Sequence, residues 1–292
     1  MEKKSRKAQI IGSVVFGILS ILCVLPFMIV ISTSFASEVG IAANGYSVFP
    51  KEFNVDAYKY VFKNPFDILS AYGMSIFVTG TGTIFGLMCM TAFAYALARD
   101  DFKFKKVLSF FIYFTMLFSG GQVATYIWFS GTLKLNGNPL VLILPHMLSA
   151  YNIFILRTSC KNTSVELIEA AKIDGCNELR TFVSIVIPVQ KTVIATIALL
   201  MIFAYWNEWY LSMMYMDTSD LSTIQYYLVR TLETVNFAKQ HQGAMGGSIA
   251  YDLPSEGVQM AICVLATGPL LIVFPFLQKY FVSGIQVGAV KG

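Results

Sequence analysis

The sequence is 292 residues long; 56% of these residues are hydrophobic and only 13% carry a formal charge. An ordinary soluble domain carries about 25% charged residues. With a mean hydropathy of +0.64, this composition excludes that class and predicts a membrane protein. The formal net charge of +4 comes without a basic patch interleaved with aromatic residues, so it gives no reason to expect nucleic-acid binding.

Six apolar stretches approach the length of about 20 residues that a helix needs to cross the hydrocarbon core of a bilayer. They lie at Ile10–Ser34, Gly73–Ala98, Val107–Gly131, Leu140–Leu156, Val193–Met216 and Val258–Leu277. The fourth is the weakest, because it is short and contains Pro145 and His146, but the polar segment after it requires a return to the cytoplasm. We therefore predict an all-α membrane protein with about six transmembrane helices, in a single domain over residues 1–292.

The distribution of Lys and Arg predicts the orientation. If the N-terminus is cytoplasmic, 15 of the 21 Lys and Arg residues fall on the inner side, at 3–7, 99–106, 157–191 and 279–291. This bias fits the positive-inside rule and places both termini in the cytoplasm of a multi-pass plasma-membrane protein. A removable signal peptide is the alternative for the first stretch, but the run is long and lacks a clean cleavage site, which favours a retained helix.

The sequence motifs give no indication of an enzyme. The five cysteines are scattered without CxxC spacing, so neither a disulfide nor a metal site is predicted. A phosphate-binding GxxxxGK[ST] loop does not occur, nor does an HExxH or GxSxG motif. We therefore predict no catalytic residues and no cofactor on this chain.

A polar segment between the fourth and fifth stretches, at residues 162–187, is the most informative part of the sequence. Ser164 is placed to cap a helix that begins near Val165. That helix is predicted to end at Gly175, because glycine best tolerates the left-handed backbone found just past a helix end. A second helix is predicted from about Asn177 to Ser184, with Pro188 near the start of the fifth span.

This segment resembles the EAA loop of binding-protein-dependent ABC importer permeases. The resemblance is carried by Glu169, Ala170, Ala171, Asp174, Gly175, Phe182, Ile185 and Pro188. It implies the fold of a type I ABC importer permease, with coupling helices that dock into a cleft of an ATPase subunit. On the same basis Glu169, Ala170, Ala171, Asp174, Gly175 and Pro188 are the expected ATPase-coupling residues. The alternative is an ordinary interfacial amphipathic hairpin.

Three further segments resemble the carbohydrate-uptake branch of that family, of the maltose and aldouronate oligosaccharide type. They are FSGGQVATYIW at 118–128, ILP at 143–145 and LQKYFVSGIQVGAVKG at 277–292. The resemblance implies an assembly with a second homologous permease, two ATP-binding subunits and an extracytoplasmic sugar-binding lipoprotein. ATP and Mg²⁺ are then expected on the partner ATPase. A permease for an amino acid or osmolyte remains an alternative, as does an ion-coupled secondary transporter.

Polar and aromatic residues within the predicted spans are candidates for the substrate path, since sugars bind aromatic faces and hydrogen-bonding groups. The candidates are Gln122, Tyr126, Asn152, Asn207, Glu208 and Trp209. A charge at mid-helix is unfavourable by about 2.5 to 3.5 kcal/mol on insertion scales, so Glu208 is expected to face water or protein. It is predicted either to line the path or to pair with a neighbouring helix.

The long segment 217–257 is predicted to be an extracytoplasmic loop. Within it, Leu221, Ile224, Tyr227, Leu228 and Leu232 recur at helical spacing and predict a short amphipathic helix near the outer interface.

Overall fold

The structure is a computed structural model that describes residues 2–163, 165–216, 221–240 and 255–289. For residues 2–8, 165, 238–239, 255 and 276–289 it describes the backbone alone. Over these ranges the ordered elements are helices, joined by turns and by one isolated antiparallel bridge between Ala36 and Phe53. The prediction of an all-α protein is confirmed.

The helices follow one another along the chain with short connections. They are α1 (Glu2–Ser34), α2 (Glu38–Asn44), α3 (Asp56–Val61), α4 (Pro65–Ala98), α5 (Lys105–Leu117), α6 (Gly121–Tyr126) with a π-helical continuation (Ile127–Thr132), α7 (Leu140–Met147), α8 (Ala150–Lys161), α9 (Val165–Ile173), α10 (Glu178–Thr181) with a π-helical continuation (Phe182–Val186), α11 (Ile187–Val189), α12 (Lys191–Trp206), α13 (Tyr210–Met216), α14 (Ile224–Gln240) and α15 (Ser255–Ala289).

Three helical stretches among the described residues are long and apolar enough to cross a membrane, at Gln9–Ser34, Pro65–Ala98 and Glu256–Pro275. Three bent pairs raise the number of candidate spans to six if each pair is one span: α5 with α6, α7 with α8, and α10–α11 with α12. This agrees with about six predicted spans, although their form differs from the prediction.

The third and fifth predicted spans are wrong as single helices. Val107–Gly131 is bent by 120° after Leu117, because the chain turns at Gly121, which adopts a left-handed φ of +80°. The fifth stretch begins after an 80° bend at Gln190. Its helix ends at Trp206 and a new one starts at Tyr210.

The fourth stretch bends by 49° between α7 and α8. Leu148 is extended there, and the Ser149 hydroxyl accepts a hydrogen bond from the backbone N–H of Asn152 at 3.4 Å. A helix N-cap inside the stretch therefore interrupts the span that the hydropathy alone predicted as continuous.

The chain divides into two compact units, residues 1–68 with 228–269 and residues 69–227 with 270–292. In the first unit the ring of Phe35 stacks on Phe53 and on Tyr58, with centroids 5.4 and 4.8 Å away. Glu38 accepts a hydrogen bond from the N–H of Gly257 at 2.8 Å, near the start of α15. The predicted single domain over residues 1–292 stays a prediction.

The second unit has a core in which α4 and α12 approach closely. An added Cβ at Gly82 would overlap the ring of Tyr205, and one at Gly86 would lie 2.8 Å from the carbonyl oxygen of Met147. Tyr205 is fully buried and its hydroxyl donates to the carbonyl of Ile143 at 2.9 Å. These glycines therefore fix how α4 packs beside α7 and α12.

The predicted helix in segment 217–257 is confirmed as α14, which begins at Ile224, so that Leu221 lies before it; its place near the outer interface stays a prediction. Residues 217–220 and 241–254 of that segment lie outside the described residues.

Candidate coupling segment and transport path

The coupling segment, residues 164–189, begins with α9, which ends in a Schellman motif as the glycine predicted. Gly175 has a φ of +78°. The N–H of Cys176 donates to the carbonyl of Ala171 at 2.9 Å, and that of Gly175 to Lys172 at 3.0 Å. These two bonds satisfy carbonyls that a helix end otherwise leaves unpaired. The predicted cap Ser164 lies outside the described residues.

The second helix of the segment begins as predicted and ends differently. Asn177 is the cap, since its side chain accepts from the N–H of Arg180 at 2.8 Å. The helix does not stop at Ser184 but continues through the π-helical turns and α11 to Val189. Pro188 therefore lies in the last turn of this helix, just before the bend that opens the fifth span, and its missing N–H leaves that turn one hydrogen bond short.

The segment exposes much of its surface. Glu169, Ala170, Asp174, Gly175 and Pro188 are exposed, whereas Ala171 is buried. Apolar side chains share this exposure: Ile173 is 86% exposed, and Leu167 and Leu179 are also exposed. Exposed apolar residues beside charged ones, on a segment between two long apolar stretches, are typical of a surface that a partner protein covers. None of these three residues is among those that carry the family resemblance, so the sequence did not single them out.

Gln190 fastens the two ends of the segment to each other. This buried side chain sits at the 80° bend. Its Nε2 donates to the carbonyl of Ser159 at 3.0 Å and to the hydroxyl of Thr163 at 2.7 Å, while its Oε1 accepts from the Ser159 hydroxyl. The end of α8 and the start of α12 are thus joined by one side chain. Gln190 follows the run Ile187–Val189 in the sequence, which gave no signal that its side chain links α8 to α12.

A second polar cluster joins the segment to the end of α4. Arg99 donates to both carboxylate oxygens of Asp101 and to Glu178 of α10. The Tyr95 hydroxyl donates to the same Glu178 oxygen at 3.0 Å and accepts from Arg99 at 3.1 Å. The Arg99 guanidinium lowers the pKa of the Asp101 carboxyl to about 2, and that hydrogen bond raises the pKa of Arg99. Arg99 and Asp101 are therefore both ionised at neutral pH.

The six candidates for the substrate path are not gathered at one place by direct contacts. Gln122 and Tyr126 lie past the bend of the third stretch, and the Tyr126 ring stacks on Tyr215 with centroids 5.4 Å apart. Asn152 is buried at the first turn of α8. Asn207 and Trp209 are exposed between α12 and α13.

Glu208 makes two hydrogen bonds through its two carboxylate oxygens. One oxygen is 2.6 Å from Nε2 of His146 at the end of α7. The other accepts from the N–H of Leu211 at 2.8 Å and so caps the first turn of α13. Its side chain is only 13% exposed. This arrangement favours the pairing role over the path-lining role.

Replacing Glu208 with glutamine is expected to lower the thermal unfolding midpoint of the purified protein. An amide still accepts from Leu211, but the charge-assisted bond to His146 is lost, which typically costs about 1.5–3 kcal/mol. His146→Gln should cost a similar amount, and the double variant no more than either single one, because both remove the same contact. An unchanged midpoint together with lost transport would instead assign Glu208 to substrate binding.

Among the residues that the structure describes, no group of three or more His, Cys, Asp or Glu side chains is arranged to hold a metal ion.

Comparison with known proteins places this geometry in a family. Residues 82–287 match the model of the binding-protein-dependent transport system inner membrane component. Protein LplC of Bacillus subtilis (strain 168) is 36% identical over 290 residues, which cover 99% of this chain and 97% of that protein. The polygalacturonan/rhamnogalacturonan transport system permease protein YtcP of the same strain is 36% identical over 289 residues, covering 98% of this chain and 100% of YtcP.

A solved structure agrees. A chain in the crystal structure of a bacterial ABC transporter involved in the import of the acidic polysaccharide alginate superposes with a TM-score of 0.82 at 28% identity, covering 95% of this chain and 98% of that one. The family match spans both the bent helices of the second unit and the coupling segment. The chain is therefore a membrane-integral member of the family of binding-protein-dependent transport system inner membrane components.

Proposed function

We propose that this protein is a permease subunit of an ATP-driven oligosaccharide importer. The observation that carries the proposal is the coupling segment, in which the short helices α9 and α10 follow the fourth apolar stretch and expose Leu167, Ile173 and Leu179. The names of YtcP and of the alginate transporter chain support a carbohydrate substrate. The protein is expected to form half of the translocation path.

ATP hydrolysis is assigned to partner subunits. We propose two ATP-binding subunits that carry ATP and Mg²⁺, a second homologous permease, and an extracytoplasmic sugar-binding lipoprotein. Glu169, Ala170, Ala171, Asp174, Gly175 and Pro188 are proposed to form or shape the docking surface for one ATPase. Closure of the ATPase pair would then move the coupling segment and shift the path between two discrete states.

The substrate is proposed to pass beside the polar groups at the helix breaks. Among the candidates, Gln122, Tyr126, Asn207 and Trp209 have exposed side chains, although one face of the Tyr126 ring stacks on Tyr215 and the Asn207 amide donates to the carbonyl of Phe203. Aromatic faces such as that of Tyr126 suit the apolar faces of sugar rings. Asn152 and Glu208 are more enclosed, so they are proposed to shape the path.

Reconstitution tests this function. The complex assembled from this permease, its partner permease, the ATPase and the binding protein is placed in proteoliposomes, and ATPase rate and uptake are measured with neutral and acidic oligosaccharides. Stimulation of both by an oligosaccharide is the expected result. Stimulation only by an amino acid or osmolyte, or uptake driven by an ion gradient without ATP, would overturn the proposal.

The orientation is proposed to place both termini and the coupling segment in the cytoplasm. Asp100 and Asp56 are both exposed and fall on opposite predicted sides. In a cysteine-free background, Asp56→Cys should react with a membrane-impermeant maleimide added to intact cells, and Asp100→Cys only after the membrane is opened. External labelling of position 100 in sealed cells would contradict the orientation.

A further inference from the structure

We propose that the contact of Arg99 with Glu178 is the link through which the coupling segment moves α4; this inference rests on the proposed function. Arg99 and Glu178 are positioning residues, since neither is expected to touch the substrate or ATP. The link would make the second span respond to the ATPase.

The chain connectivity makes such a link necessary. The coupling segment is continuous only with α8 on one side and α12 on the other. Arg99 lies 79 residues before Glu178. Motion of the segment therefore reaches α4 through non-covalent contacts, and a rigid contact transmits it better than a loose one.

The geometry makes this contact rigid. Arg99 is only 16% exposed, and its guanidinium is held from one side by both oxygens of Asp101 and from the other by Glu178. A planar fork fixed at several points loses little freedom on binding a carboxylate. The ring of Tyr95 packs beside Phe182 of the segment, with centroids 5.4 Å apart. Polar and aromatic contacts thus fasten the same two elements.

Glu178 also connects to the first helix of the segment. The Nζ of Lys172, on the last turn of α9, lies 3.6 Å from its Oε1, while Oε2 receives Arg99 and Tyr95. One carboxylate therefore binds α4 and α9 at the same time. Displacing α9 by a docked partner would pull on Glu178 and, through Arg99, on the end of α4.

Arg157 supports the same end of α4 from another direction, since its Nε donates to the carbonyl of Leu97 at 3.2 Å. This contact comes from α8, which is covalently joined to the segment. The end of α4 is therefore held both by the helix before the segment and by the segment itself. Of these contacts, the one between Arg99 and Glu178 is proposed to transmit the motion of the segment to α4.

The test uses the complete reconstituted complex and measures oligosaccharide taken up per ATP hydrolysed. Arg99→Gln and Glu178→Gln are each expected to lower this ratio about tenfold, within the range of coupling between sites. The double Gln variant should lose less than the sum of the two single losses, because both single variants remove the contact between Arg99 and Glu178. Basal ATPase rate and the amount of assembled complex should stay near the wild type.

A matched control lies on the same turn. Asp100→Asn removes the ion pair in which Nζ of Lys105 lies 2.5 Å from Oδ1 of Asp100. Neither residue belongs to the coupling segment. This variant should keep the wild-type ratio. Arg99→Lys keeps the charge and removes the planar fork, and it is the variant to measure if a Gln variant fails to assemble; it is expected to show an intermediate ratio.

Wild-type ratios in the Gln variants or in Arg99→Lys, or additive losses in the double variant, would overturn the proposal. A wild-type complex without ATP-dependent oligosaccharide uptake would overturn the proposed function and, with it, this inference. A working wild type with unaffected variants would overturn the inference alone.

Discussion

Replacing Gly175 with valine is expected to reduce oligosaccharide uptake at least tenfold while the protein still inserts into the membrane. A non-glycine residue in the left-handed region costs roughly 1–2 kcal/mol, and a β-branched side chain costs more. At a φ of +78°, relief of this strain would dissolve the Schellman motif and change the angle between α9 and α10. Uptake, ATPase rate and co-purification of the ATPase are the measurements.

Two controls separate backbone strain from bulk. Within the part of the chain that the structure describes, no heavy atom lies within 4 Å of a Cβ added at Gly175, so the Cβ itself meets no steric overlap. Gly175→Asn should keep most activity, because asparagine tolerates the left-handed region. Gly45 also has a positive φ, +69°, and an open Cβ position, but lies at the end of α2. Gly45→Val should leave the oligosaccharide taken up per ATP hydrolysed unchanged. Equal losses of uptake in Gly175→Val and Gly175→Asn would contradict backbone strain as the cause.

Replacing Gly82 with alanine is expected to destabilise the protein by about 1–3 kcal/mol, the usual range for overpacking. The new methyl group would overlap the ring of Tyr205. That ring cannot swing aside easily, because it is fully buried and its hydroxyl is bound to the carbonyl of Ile143. The thermal unfolding midpoint in detergent and the yield of folded protein are the measurements.

Gly80 provides the control on the same helix. A Cβ added there meets no atom within 4 Å, and alanine has the better helix propensity, so Gly80→Ala should leave the midpoint unchanged or raise it. Gly82→Ala combined with Tyr205→Leu should recover part of the loss, since the smaller side chain leaves room. A Gly82→Ala midpoint equal to that of Gly80→Ala would contradict the close approach of α4 and α12.

Local signals in the sequence predicted the elements whose cause is local. Apolar run length predicted α1, α4 and α15, and the spacing of polar and apolar residues predicted α14. The turn at Gly175 was predicted because glycine tolerates the left-handed backbone conformation that ends a helix. Asn177 was predicted as the first residue of the second helix and is instead its cap, a difference of one residue.

Hydropathy could not predict the breaks within the third and fifth spans. An average over about 20 residues does not register one residue such as Gly121, whose left-handed φ turns the chain, or a side-chain cap such as that of Glu208 on α13. The run Ser119, Gly120 and Gly121 was a turn signal inside an apolar run.

The contacts that link the coupling segment to α8 and α4 were missed for a different reason. Gln190 and Arg99 act through partners 27 to 31 and 79 residues away. A single sequence contains no record of which distant side chains meet, so only the three-dimensional structure reveals these contacts. The candidate path residues stay predictions for the same reason.

The bonds of Gln190 to Ser159 and Thr163 bring the start and finish of the coupling segment to one point. A piece of chain that leaves and rejoins its host at one place can be lengthened, shortened or exchanged with few changes elsewhere, as inserted domains show, provided that Glu178 still meets Arg99. The surface proposed to dock the ATPase can accordingly change during evolution independently of the residues proposed to line the sugar path. One ATPase could therefore serve several permeases of differing cargo, provided that their segments stay alike.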